Sequence, residues 1–200
     1  MKTSINSLIA IALTATVLTT SAFTSIAANT ATVDKVVTKA KNFKRISVKG
    51  NVELLIVQGN TESIKFAEDN YGTAKVTQSG DLLTISSTNN DEKVKMVVYV
   101  NDIYRIQAAD NAVVSTEGTL NTKFLQVFLS DEAKAEIKTN TESIYTVVDN
   151  YATLKLKGAT QNHTLANSTT SEIVIDKFAS ASTVVNTIDN KDEAIAHLSK

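Results

Sequence analysis

Beyond residue 42 the chain alternates. Phe43-Lys44-Arg45-Ile46-Ser47-Val48 sets apolar residues between polar ones, and Val52 to Val57 does so in part. A side-chain period of two predicts strands with one buried face. Ile64-Lys65-Phe66 and Leu82-Leu83-Thr84-Ile85 are shorter pieces of the same kind, and Val94 to Val100 is the strongest single strand. Gln58-Gly59-Asn60-Thr61 and Ser79-Gly80-Asp81 read as turns between them. No stretch after residue 28 sustains the 3.6-residue period of a helix.

The second half adds a repeat. Asp or Asn followed by a polar or acidic residue recurs at Asp110-Asn111, Asp131-Glu132, Asp149-Asn150, Asn167-Ser168 and Asp189-Asn190. An earlier marker, Asp69-Asn70, is followed by Tyr71, just as Asp149-Asn150 is followed by Tyr151. Alternation resumes after most markers. A period of about 20 residues with short strands predicts an all-β solenoid, in which stacked coils bury the inner face that one coil cannot bury alone. The predicted inward residues are Val127, Leu129, Ala135, Ile137, Val147, Leu154, Leu156, Leu165, Ile173 and Ile175. Tight corners need a left-handed backbone, and in a chain with 6 glycines and no proline Asx residues take that place.

Residues 1–28 change the picture of location. Lys2, a mainly apolar run from Leu8 to Leu18, and the small residues ending Ser25-Ile26-Ala27-Ala28 have the order of a secretory signal peptide. The run is short of a membrane span, and no later segment is apolar enough to be one. Residues 29–42 read as a polar lead-in and 43–200 as the β domain. The net charge of −1 argues against a nucleic-acid partner. The absence of cysteine excludes disulfides, thiolate metal sites and cysteine catalysis.

The Asx corners are the one constellation with functional promise. Asp69, Asp110, Asp131, Asp149 and Asp189 mark this ladder, and Asp110, Asp131 and Asp149 stacked on one edge would stand about 5 Å apart and repel one another by roughly 1 kcal/mol per pair in water. Such a stack invites calcium, yet the glycine-aspartate nonapeptide of calcium-binding β-rolls is absent, and Asn111 and Asn150 relieve the repulsion without metal. No cofactor or metal is therefore expected. Polysaccharide cleavage by Asp110, Asp131 or Asp149 would want arginines nearby, and Arg45 and Arg105 fall in different parts of the repeat. His163 and His197 lack a second histidine at ligand spacing, and His163 reads as a surface or turn residue. Tyr71 and Tyr151, at equivalent corners, are candidates for stacking on a sugar.

The order of these segments is familiar. Phe43 to Gly59 (FKRISVKGNVELLIVQG), Leu82 to Ile85, Lys93 to Ala109 (KVKMVVYVNDIYRIQAA) and then the repeated Asx corners resemble the GIN-domain family, the auto-transporter adhesin head domain, over roughly Phe43 to Lys200. The resemblance implies a right-handed parallel β-helix-like solenoid in an exported bacterial protein, with no catalytic residues to carry over. Two features depart from the family. Its corners usually read Ser-Gly-x-Gly, and Asn101 stands where it usually has proline. The expectation is a non-enzymatic protein of the periplasm or cell surface that presents a rigid face to a carbohydrate or a cell-surface protein. The alternatives are a polysaccharide-active enzyme and a calcium-stabilised envelope protein.

Overall fold

The computed structural model describes residues 40–67, 73–89 and 91–188. Thirteen strands form one sheet: β1 (Arg45–Lys49), β2 (Val52–Gln58), β3 (Ser63–Phe66), β4 (Ala74–Ser79), β5 (Leu82–Ser87), β6 (Val94–Val100), β7 (Arg105–Ala109), β8 (Val113–Glu117), β9 (Leu120–Asn121), β10 (Phe124–Leu129), β11 (Lys134–Val148), β12 (Thr153–Asn167) and β13 (Glu172–Thr187). The described residues contain no α-helix. The described residues are all-β, as their alternation predicts. In β6 every second residue, from Val94 to Val100, is buried, which is what a side-chain period of two dictates.

The sheet has two rows that meet in one strand. One row runs β4-β5-β1-β7-β10 and the other β3-β6-β2-β8, and both end on β11. Strand β11 is long enough to serve both, with Lys134–Glu136 on β8 and Ser143–Val148 on β10. Strands β12 and β13 then lie on β11 in turn. Side chains from both rows meet between them in one core that includes Ile46, Leu54, Ile85, Met96, Ile106, Val114 and Ile137, each 0 or 1% exposed. Each fully buried aliphatic chain of this size contributes roughly 1.5–3 kcal/mol.

Pairing in the second half is parallel throughout. Arg105 lies opposite Gln126, Phe124 opposite Ser143, Lys134 opposite Thr153 and Thr153 opposite Glu172. Each residue thus meets one 19 to 21 positions further on. We call each stretch of two strands joined by a corner a rung. Beyond Lys155 a register shift lengthens the last offset, and Lys157 meets Lys177.

The first half departs from that period. Strand β1 lies between β5 and β7, with Arg45 opposite both Leu82 and Arg105, and β2 lies likewise between β6 and β8. The first rung in sequence is therefore inserted between the second and the third. The hairpins that carry the chain away and back give two antiparallel pairs, β3 with β6 and β4 with β5. The turn expected at Ser79-Gly80-Asp81 closes the second of these, with Gly80 at φ 60°.

Four expectations about single residues are corrected. Val147 is buried, but outside the main core, in a small outer cluster with Phe128 and Ala166; the inward neighbour of Val127 and Leu165 is Thr146. Ile175 is 38% exposed because the last rung has nothing beyond it among the described residues. His163 is 1% exposed and sits within β12 rather than at the surface. Arg45 and Arg105 are direct neighbours across β1 and β7, because the inserted first rung makes neighbours of residues that a 20-residue count sets three coils apart. The proposed signal peptide, almost all of the lead-in and the last marker fall outside the described residues.

Candidate functional site

The corners come first, because they place the polar side chains. Gly50, Asp110, Asp131 and Asn150 all have a left-handed backbone, with φ of 78°, 59°, 61° and 56°. They fall in one column. The Glu132 amide donates to the Asp110 carbonyl at 3.1 Å and the Tyr151 amide to the Asp131 carbonyl at 2.9 Å, which continues the ladder around the bend. The carboxylates bind across the column as well. Asp110 Oδ2 accepts from the Gly50 amide at 3.0 Å, and Asp131 Oδ2 accepts from the Asp110 amide at 3.3 Å. Ser130 Oγ donates to Asp131 Oδ2 at 3.0 Å, and Asn150 Nδ2 to Asp131 Oδ1 at 3.4 Å. Each Asp thus secures the corner of the neighbouring rung, while its remaining lone pairs face solvent.

Of the sequence-predicted site residues, the structure brings Asp110 and Asp131 together. Asp149 stands one position out of register: Asn150 is the counterpart of Asp131, and Asp149 is 8% exposed, holding the Asn150 amide at 2.8 Å. The 18-residue marker spacing hid this offset, since the pairing itself advances 19. Tyr151 is 70% exposed and follows directly on the column. Asp69, Tyr71 and Asp189 lie outside the described residues. No three histidine, aspartate or glutamate side chains among the described residues converge as metal ligands.

Beside the column lies a groove that the sequence reading missed. On the outer face of β5, β1 and β7 the side chains are short: Thr84 and Ser86, Ser47, and Ala109, with Gln107 among them. They leave a hollow of about 580 Å³ that ends at Ser130, Asp110 and Asp131. Around the corner a second hollow of about 500 Å³ continues past Gly50, Asn51, Asn111 and Glu132. Both share Asp110 and Asp131, so one channel bends around the corner, its first arm mixing Leu82 and Ala109 with hydroxyl and amide groups and its second arm mainly polar. Lys49 lines its first arm. Its signal in the sequence was a set of small outward residues in β1, β5 and β7, but finding it required the insertion of β1 between strands remote in sequence.

One end of the outer face is fixed by charge and by aromatic contact. Asp81 accepts from Arg45 Nε at 3.0 Å and from the Tyr104 hydroxyl at 3.1 Å. The hydrogen bond from Arg45 holds the Asp81 carboxyl below its usual range and raises the guanidinium. Arg105 donates to Gln126 at 2.7 Å and lies 5.1 Å from the centre of the Phe128 ring, which Tyr145 meets edge-on at 5.9 Å. Both arginines are engaged within the sheet face. The deep histidine is separate from all of this. His163 Nε2 is 2.9 Å from Thr146 Oγ1, its Nδ1 has no partner among the described residues, and burial lowers its pKa.

The sequence from 42 to 188 matches the family described as "Putative auto-transporter adhesin, head GIN domain". The chain belongs to this family. No protein of curated function matches it in sequence. Among solved structures, the GIN domain described here is similar to an adhesin-named protein of Parabacteroides distasonis, with a TM-score of 0.57 and 13% identity over 74% of this chain and 75% of that one. It is also similar to a protein of the same species named for lipid binding, with a TM-score of 0.57 and 10% identity over 75% and 76%. A third, an adhesin-named protein of Parabacteroides merdae, has a TM-score of 0.51 and 13% identity over 74% of each chain. At these identities the likeness is one of fold.

Proposed function

We propose that this GIN domain is an exported, non-enzymatic recognition module, and that its bent channel holds a carbohydrate. Residues 1–28 act as the signal peptide, 29–42 as a lead-in, and the rungs from 43 onward stack as a right-handed solenoid. The observation that carries the ligand reading is a channel lined by hydroxyl, amide and carboxylate groups whose Asp131 accepts, through its carbonyl, a hydrogen bond from the amide of the exposed Tyr151 on the next rung. Sugars offer hydroxyls to Ser47, Thr84, Gln107, Asp110 and Asp131 and an apolar ring face to Tyr151. Backbone pairing on both sides of β1 and β7 holds these groups in place, so little conformational freedom is lost on binding.

Screening the purified protein on a glycan array and titrating the hits by calorimetry tests this reading. Ala109→Trp fills the first arm and Tyr151→Ala removes the exposed ring next to the column; each is expected to weaken a genuine glycan ligand at least tenfold with an unchanged far-UV spectrum. Binding unaffected by both substitutions would place the ligand elsewhere. Steady release of polysaccharide fragments that stops in Asp131→Asn would replace recognition with catalysis.

A further inference from the structure

The last strand has a free edge. Strand β13 runs for 16 residues and pairs only with β12. Its outer edge meets no strand among the described residues, and Ile175, Val184 and Val185 are 38%, 53% and 59% exposed there. The opposite end of the stack is built differently. It finishes in β3 and β4, of 4 and 6 residues, both turned antiparallel to their neighbours. Short strands and reversed hairpins are common ways to blunt an edge. In strand β13 the charges Glu172, Asp176 and Lys177 and the register shift beside them lie in the first half, whereas Phe178 to Thr187 carries no charge and no proline and presents an open edge among the described residues.

We propose that β13 is a dimer interface, on which a second copy of this chain pairs its own β13 antiparallel about a twofold axis at Ala179. The register argues for this occupant. In an antiparallel pair, residues directly opposite share a face of the sheet. With the axis at Ala179, Ile173 meets Val185 on the inner face and Val174 meets Val184 on the outer face, while Ile175, at the register shift, meets Thr183. Glu172 meets Asn186, Asp176 meets Ser182 and Lys177 meets Ala181, so no like charges oppose. The two apolar arms of one strand are thus each other's complement in a second copy. Pairing of like ends closes, whereas β13 against the β3–β4 end would propagate without limit onto two short strands.

The size fits a reversible dimer. A 16-residue strand is about 50 Å long and a sheet about 10 Å thick. Roughly 500 Å² is covered on each copy, about 1,000 Å² in total, at the lower bound for a specific interface.

Sedimentation velocity on the full chain from about 1 to about 200 μM reads the association directly. A monomer–dimer equilibrium in that range is expected, and Val174→Lys with Val184→Lys should weaken it at least tenfold while leaving the circular dichroism intact. Ala179→Cys supplies an independent readout in a chain that has no cysteine. The axis puts the two thiols within disulfide reach, so mild oxidation should link most of the protein as dimers, whereas Asn186→Cys, which faces Glu172, should link little. A chain monomeric across the whole range overturns the proposal. So does a dimer that survives both lysines, or one in which Asn186→Cys links as readily as Ala179→Cys.

Discussion

Asp131 shows why this chain uses aspartate where glycine is the easier choice. The residue does two jobs: it accepts the left-handed backbone, at φ 61°, and it holds the amide of Asp110 and the hydroxyl of Ser130. Substitution separates the two. Asp131→Gly keeps the backbone and loses the hydrogen bonds, at a cost of about 1 kcal/mol. Asp131→Ala loses both and should cost about 2 kcal/mol. Urea titrations of the two variants check this, and equal losses would mean that the backbone contributes nothing. The corner type was legible in the sequence because only a few residue types tolerate that geometry. His163 was not legible, because a lone histidine between Asn162 and Thr164 carries no mark of depth. Burial lowers its pKa below the ordinary value of about 6.5, so the unfolded chain binds the proton more readily. Its contribution to stability is full above pH 6.5 and declines as pH falls from there toward the depressed folded value. Thermal unfolding followed between pH 7.5 and 5 should show a drop in midpoint that His163→Gln reduces by at least half. A drop of the same size in the variant would assign it to other groups.

At the scale of the element, the long strands depend on places where they bend. Pairing of β11 with β12 skips between Thr141 and Ser143, and pairing of β12 with β13 skips between Thr160 and Ser182's partner Asn162. Just before this bend Gly158, opposite Thr139, has φ 103°, and a Cβ there would stand 2.1 Å from the Thr139 carbonyl oxygen. Phe178 follows in the same register and meets His163 edge-on at 5.5 Å. Gly158→Ala combines a disfavoured φ with a collision against backbone that cannot step aside. It should cost at least about 3 kcal/mol, read as a loss of midpoint in chemical unfolding. A loss under about 1 kcal/mol would mean that the approach of β12 to β11 is looser than this geometry. Strand identity was readable from alternation, since one buried face leaves an imprint of period two. The phase was less secure. A spacing of 18 between Asx markers stood in for a true advance of 19, which put Val147 inward where Thr146 belongs and aligned Asp149 where Asn150 belongs.

The order of the rungs is a property of the whole molecule, and periodicity could not reveal it. A repeat reports what lies one period away, whereas Arg45 meets Arg105 at an offset of 60 positions. The candidate channel inherits this blindness, because its floor joins β5, β1 and β7. The same insertion has a consequence for folding. In a simple stack each rung touches only its neighbours in sequence, and the ends can melt separately. Here the first rung is gripped by the second and the third, so opening either side exposes the apolar faces of β1 and β2, where Ile46, Leu54 and Ile56 are fully buried. Ile46→Ala should accordingly cost about 3 kcal/mol, within the range for a large-to-small change at a buried site. The two halves should unfold together. The chain lacks tryptophan, so Tyr99→Trp on β6 and Tyr145→Trp on β11 each give one reporter in one half. Their urea midpoints are expected to coincide with each other and with the loss of strand signal in circular dichroism, as two-state unfolding requires. Earlier melting at Tyr145→Trp, with β6 still folded, would show that the inserted rung does not tie the halves together, and the stack would then behave as an ordinary repeat array.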